Sequence, residues 1–285
     1  MALKSAPQST IIQAKSQDTR VIAEFIDRAS LVHRHLDWRP LMQWVDREPF
    51  LVKFEKGKIQ GILSCAPDPE GIAWIHCFAA VSQLTYQETW MELFEVAKSH
   101  PALRECILCS VGLLDWYARL LSSSNFSLVQ NIVVLYWDGR LPPAIALSPE
   151  ILIRPMEYDD LDQVIEVDHS AFSPIWTISR STFDQVYTQS EHSNVAEING
   201  VIAGYEISTA NHFSAHLTRL AVRPEFKKAN IGYSLGREML VYFSKRGIRQ
   251  ISVNTQNDNI ASISLYKKLG FSLSDESFPV FCLKV

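Results

Sequence analysis

Apolar and polar positions alternate along Val195–Ile198 and Val201–Ser208, with Asn199-Gly200 between them. That period of two predicts a pair of strands joined by a hairpin turn. Downstream the period lengthens. Ile231, Leu235, Met239 and Phe243 recur every four residues, which predicts a long amphipathic helix from Ile231 to Arg246. Lys245-Arg246 fall in its last turn and Gly247 follows as its stop. Strands are expected at Ile151–Arg154, His216–Val222 and Ile248–Thr255 and in the tail after Phe271. Helices are expected from Tyr158 to about Phe172, over Ser181–Thr188 and over Asn259–Leu269. The acidic start Asp159-Asp160 suits the dipole of the first of these. The order is β-α-α-β-β-β-α-β-α-β, a mixed α/β sheet with helices on both faces.

The first half of the chain repeats the landmarks of the second. Gly57 and Gly61 lie four apart, as do Gly200 and Gly204. Phe78-Ala79-Ala80-Val81 echoes Arg219-Leu220-Ala221-Val222, and Asn125-Phe126-Ser127-Leu128 echoes Gly270-Phe271-Ser272-Leu273. The offsets are 143, 141 and 145 positions, the small drift expected of a duplicated domain with loop insertions. Between the halves, Asp138–Glu150 holds three prolines, which block regular structure and mark a semi-rigid linker. The expected domains are therefore residues 1–140 and 150–285.

A length of 285 residues suits two domains, and 47% hydrophobic residues supply two cores. The formal charge of −4 gives no electrostatic footprint for nucleic acid or an anionic membrane, so neither is expected as a partner. No segment approaches the roughly 20 apolar residues of a membrane span, and the N-terminus lacks a signal-peptide core, which makes the cytoplasm the expected compartment. The five cysteines are odd in number and scattered through apolar segments, which argues against disulfides. Cys106-x-x-Cys109 reads as part of a buried strand rather than a metal or redox motif. His212 and His216 straddle a loop and a strand, and no metal site is expected.

Chemistry concentrates between Leu220 and Phe271. The run Leu220-Ala221-Val222-Arg223-Pro224 leads through Lys227-Lys228-Ala229-Asn230 to Ile231-Gly232, a strand, a basic loop and a helix N-terminus. Such an N-terminus presents unpaired N–H groups to an anion. A second run, Asn259-x6-Tyr266-x3-Gly270-Phe271, places Asn259 and Tyr266 on one helical stripe about 10 Å apart. Ala261, Leu265 and Leu269 form a neighbouring stripe that can pack on the sheet. The two runs together resemble the acetyl-CoA site of the GNAT superfamily of N-acetyltransferases, over roughly the last half of the chain.

The resemblance implies two GNAT-like α/β domains, each a mixed, mostly antiparallel twisted sheet flanked by helices. It implies acetyl-CoA as cosubstrate and an amine, on a small molecule or a peptide, as acceptor. Lys227 occupies the basic position of the phosphate loop, with Lys228 and Ala229 beside it. Gly232 matches the last glycine, and Asn230 stands where the family has its middle one. Asn tolerates a left-handed backbone best after Gly. Ile231 opens the helix that receives the diphosphate, and Leu220, Ala221 and Val222 supply backbone groups to the pantetheine and to an oxyanion. Asn254 and Asn259 flank the coenzyme, and Tyr266 protonates the departing sulfur. A phenol near pKa 10 suits a thiolate whose acid has a pKa of about 8.5.

An amine must be neutral to attack, which costs about 4.6 kcal/mol for a lysine-like amine at pH 7 and about 1.4 kcal/mol for an α-amine. Glu206 and His216, on strands expected to flank the cleft, are the candidate bases, and either reads equally well as a solvent-facing strand residue. Ala171–Trp176 is a candidate acceptor wall or core closure. The first half offers Gln83-Leu84-Thr85-Tyr86-Gln87-Glu88 in place of the basic loop, and Leu121 near the position of Tyr266. It reads as a degenerate copy. Direct acetyl transfer, without a covalent enzyme intermediate, is the expected reaction. A coenzyme-binding sensor or scaffold without turnover and a transferase of a longer acyl group remain alternatives.

Overall fold

Residues 9–285 are described by a computed structural model. The first half comprises β1 (Ser9–Gln13), α1 (Thr19–Arg28), β2 (Leu31–Arg34), β3 (Phe50–Glu55), β4 (Lys58–Ser64), β5 (Ile72–Trp74), β6 (Cys77–Ala80), α2 (Tyr86–Lys98), β7 (Ile107–Val111), α3 (Asp115–Ser123) and β8 (Ser127–Trp137). The second comprises β9 (Ile151–Pro155), α4 (Leu161–Ala171), α5 (Arg180–Gln189), β10 (His192–Ile198), β11 (Val201–Ala210), β12 (Ser214–Val222), α6 (Ile231–Lys245), β13 (Gln250–Gln256), α7 (Ile260–Lys268) and β14 (Phe271–Lys284). Every element expected in the second half is present, with ends shifted by a few residues.

Two compact units result. Unit 1 holds the chain up to Val129 together with Pro279–Val285, and unit 2 holds Gln130–Phe278. These differ from the expected 1–140 and 150–285, because most of β8 belongs to unit 2 and the end of β14 to unit 1. The reason lies in the side chains of β8. Leu135 and Trp137 are buried in one cluster with Met239, Phe243, Tyr266 and Leu269 of the second half.

In unit 2 the strand order is β14-β8-β13-β12-β11-β10-β9. The pairings β8–β13, β12–β11, β11–β10 and β10–β9 are antiparallel, and β12–β13 is parallel. Ile231, Leu235, Met239 and Phe243 of α6 are all buried, as the four-residue period requires. Gly247 closes that helix at φ +79°.

In unit 1, β1-β3-β4-β6 lie in the same order as β9-β10-β11-β12 in unit 2. The duplication is visible down to single residues. Lys56-Gly57 and Asn199-Gly200 both have positive φ at the hairpin turn, the conformation of a type I′ turn. Each hairpin then slips register by one residue, at Gln60 and at Ala203. A Cβ on Gly61 would meet the Ala79 carbonyl at 3.0 Å, and one on Gly204 would meet the Ala221 carbonyl at 2.8 Å. Both glycines allow the same close approach of backbones.

The cysteine expectation is corrected. Cys109 on β7 and Cys282 on β14 stand directly opposite each other and form a disulfide, while Cys65, Cys77 and Cys106 are free and buried. The partners are 173 residues apart, and only the return of the last strand to unit 1 brings them together.

Candidate active site

The site begins with an irregularity in β12. Between Ile207↔Arg219 and Ser208↔Leu217 the β11–β12 register skips Thr218, a bulge that bends the bulged strand. The parallel ladder to β13 ends at the same level, with Leu217↔Val253 as its last rung. Beyond it, β12 continues to Val222 and β13 to Gln256 without pairing with each other, so the two strands part.

Backbone direction along β12 follows from two observations. The Arg223 amide donates to the Ala203 carbonyl at 2.8 Å, and the Ala221 carbonyl faces Gly204 on β11. Hydrogen-bonding groups alternate sides along a strand. Leu220 and Val222 therefore turn their N–H and C=O groups into the gap, and Ala221 turns its own toward β11.

The loop after β12 leads from this gap to α6. Lys228 and Asn230 adopt φ of +71° and +60°, so Asn230 takes the left-handed conformation for which its residue type is suited. Lys227 and Lys228 are exposed, Ala229 is half-buried, and Ile231 is buried against Leu220, Val222 and Phe226. The first amides of α6 have no carbonyl one turn earlier to bond. Gly232 sits where a Cβ would press on Leu265 at 3.3 Å and Leu220 at 3.4 Å, so it lets α7 approach α6.

Asn259 caps α7, its Oδ1 accepting from the Ser262 amide at 3.1 Å. Tyr266 departs from the expected stripe. It is 5% exposed and packs with Leu269 and Phe271 in the core shared by α6, while Ala261 on the supposed packing stripe is exposed. Burial raises its phenol above the ordinary value of 10. Asn254 is exposed on β13, one residue past the last rung of the ladder.

The two candidate bases lie on opposite faces of the sheet. Glu206 is fully buried on the α6 side, its carboxylate accepting from Ser208 and held 2.8 Å from Nδ1 of His192. Desolvation pushes its pKa up, against the opposing pull of His192. His216 faces the other way, with Nδ1 2.9 Å from Ser252 Oγ, one rung before the strands part. Burial lowers its pKa below 6.5, which keeps the imidazole neutral at pH 7. On that same face, just past the bulge, Arg219 bonds Asp168 (Nε to Oδ1, 2.8 Å) and the Trp176 carbonyl (2.9 Å) and lies over the Phe172 ring. Tyr205 donates to the same carboxylate at 2.5 Å. The wall segment 172–176 is thus pinned beside the gap. Nothing in the sequence links Asp168 to Arg219; only their strand and helix placement does.

The first unit has the matching strand but a different neighbour. On the edge of β6 away from β4, where β12 leaves its edge free, β2 pairs antiparallel from Leu31↔Ala80 to Arg34↔Cys77. His33 of β2 then stacks on Tyr117 at 3.8 Å and is buried. Among the described residues, no group of three or more metal-ligand side chains converges anywhere, and no helix is long and apolar enough to cross a membrane.

Comparison with known proteins agrees with this geometry. The family described as acetyltransferase (GNAT) family matches residues 161–271. The Escherichia coli (strain K12) ribosomal protein bS18-alanine N-acetyltransferase is 26% identical over 120 residues, covering 42% of this chain and 80% of the relative. A Bacillus subtilis protein provisionally given the same activity is 28% identical over 124 residues, covering 44% of this chain and 82% of its own. Among solved structures, a tandem GNAT protein from the clavulanic acid biosynthesis pathway superposes with a TM-score of 0.66 at 14% identity, over 97% of this chain and 98% of that one. Its likeness is one of fold. The parted strands, the basic loop and the sequence match all fall in one segment: residues 161–271 match the acetyltransferase (GNAT) family, and the chain as a whole has the fold of a tandem GNAT protein.

Proposed function

We propose that unit 2 is an acetyl-CoA-dependent N-acetyltransferase acting by direct transfer to an exposed amine of a peptide or protein. The observation that carries this reading is the gap past Leu217 and Val253, edged by the free backbone groups of Leu220 and Val222 and leading to the amides that open α6. Those groups fit the amide-rich, anionic tail of the coenzyme: strand-edge pairing for its amides, the helix start with Lys227 and Lys228 for its phosphates. Asn254 and Asn259 border the same opening from β13 and α7. Acetyl-CoA supplies the activated acyl group.

The chain's own residues divide the proton work between two faces. His216 Nε2 accepts a proton from the attacking amine on the face away from α6. The Leu220 or Val222 amide donates to the oxygen that gains charge, and the Tyr266 hydroxyl returns a proton to the departing sulfur from the helix side. Glu206 is assigned to holding His192 rather than to the base role, because its carboxylate is already bonded and faces α6.

Unit 1 has no coenzyme role in this reading: β2 fills the edge that the coenzyme would need, and Leu121 has no proton to give. The test is thiol release from acetyl-CoA with a panel of N-terminal-alanine peptides, with coenzyme affinity measured alongside. Turnover that falls at least tenfold in Tyr266→Phe with coenzyme affinity unchanged is expected. Tight coenzyme binding with no turnover on any amine would replace the enzyme by a sensor.

A further inference from the structure

The face of unit 2 that carries His216 continues from that residue into a row of polar side chains that the proposed chemistry does not use. His216 pairs with Ser252 on β13, and Ser252 pairs with Tyr136 on β8. Directly paired residues project to the same face. Tyr136 then donates from its hydroxyl to Glu276 of β14 at 2.7 Å. Four adjacent strands thus contribute His216, Ser252, Tyr136 and Glu276 in order. At about 4.8 Å per strand, Tyr136 stands roughly 10 Å from His216.

Two features show what this row would attract. Tyr136 is 47% exposed and Glu276 is exposed, so the pair is open to a ligand. No lysine or arginine occurs in the strand segments 130–137, 214–218, 250–256 or 271–278, the next cation on this face, Arg219, is bonded to Asp168, and among the described residues no ion pair involves Glu276. Its carboxylate accepts one hydrogen bond from a neutral phenol and keeps its charge uncompensated. Both residues lie outside the 161–271 segment that matches the family. One of them, Tyr136, is supplied by the first half of the sequence.

Resting on the acetyl-transfer reading above, we propose that the Tyr136–Glu276 pair selects acceptor peptides that carry a positive charge close to the reacting amine. An extended peptide rises about 3.3 Å per residue, and a lysine or arginine side chain reaches further. A basic residue at position two or three spans the distance from His216 to Glu276. The carboxylate accepts from its ammonium or guanidinium, and the Tyr136 ring packs along the aliphatic stem.

The full-length protein is assayed with acetyl-CoA and three peptides that begin with alanine and differ only in lysine, norleucine or glutamate at position three. A partly exposed charge pair is worth a few-fold in affinity. The lysine peptide is expected to show a three- to fivefold lower KM than the norleucine peptide at equal kcat, and the glutamate peptide a higher one. Glu276→Gln should equalise the three KM values, and the preference should shrink in 0.5 M salt. Equal KM values in the unaltered protein, or a preference that survives Glu276→Gln, overturns the specificity element and leaves acetyl transfer standing. Failure to acetylate any amine with coenzyme bound overturns both.

Discussion

Cutting the chain in its proline-rich linker should destroy the second domain rather than isolate it. A fragment of residues 150–285 loses β8, which lies between β14 and β13 and pairs with β13 from Ile132 to Tyr136. Leu135 is fully buried and Trp137 is 6% exposed, both against α6 and α7. Removing those two side chains forfeits roughly 4–6 kcal/mol of burial. The lost rungs add about 0.5–1.5 kcal/mol each, and Leu269 and Phe271 are left against water. Domains of this size hold only about 5–15 kcal/mol in total. The fragment 150–285 should therefore show no cooperative melting and no coenzyme binding. A fragment of residues 130–278, which keeps β8 and omits the strand end of unit 1, should melt cooperatively and bind coenzyme. Circular dichroism melts and calorimetric titration with acetyl-CoA read both outcomes. Equal melting and equal affinity for the two fragments would refute the assignment of β8 to unit 2.

Three further outcomes follow from individual groups. With His216 as base, kcat/KM on a peptide amine should show, besides the amine's own limb near pH 8, a second limb centred below 6.5, because burial depresses the imidazole; an acid limb that is unchanged in His216→Gln would exclude it. Lys227→Ala should weaken acetyl-CoA binding two- to fivefold at low salt, with the deficit vanishing near 0.5 M, as an exposed charge contact requires; a salt-independent loss would point to a packing role. In unit 1, burial lowers His33 to about 3 and His35 to about 4, from 6.5. Folding therefore keeps both rings neutral, and the stability they support is complete above about pH 6.5 and lost progressively as pH falls from there toward the folded values. By linkage the loss is on the order of 5 kcal/mol near pH 4.5; denaturant midpoints that do not move between pH 7.5 and 4.5 would contradict it.

Local signals in the sequence carried far. Element types, the two glycine-turned hairpins, the left-handed Asn230 and the buried stripe of α6 all depend on neighbours within a few positions, and so does the segment that resembles a coenzyme site. Side-chain direction was less legible: the helical period places Asn259 and Tyr266 on one stripe, but which stripe meets the sheet depends on how α7 leans on α6, and Tyr266 turned inward with Phe271. Glu206 and His216 looked alike as strand residues until the bulge at Thr218 and the pairing register put them on opposite faces.

What the sequence alone determined is the alphabet of local conformations and a duplicated order of elements. What only the tertiary structure decided is which distant segments meet. The pairing of β8 with β13, the seating of β2 along β6, the Cys109–Cys282 link and the row from His216 to Glu276 join residues separated by tens to more than a hundred positions. Hydrophobic pattern specifies that a strand has an inward face, but it does not name the partner strand. Partner and register follow from burying all such faces at once, a property of the whole chain.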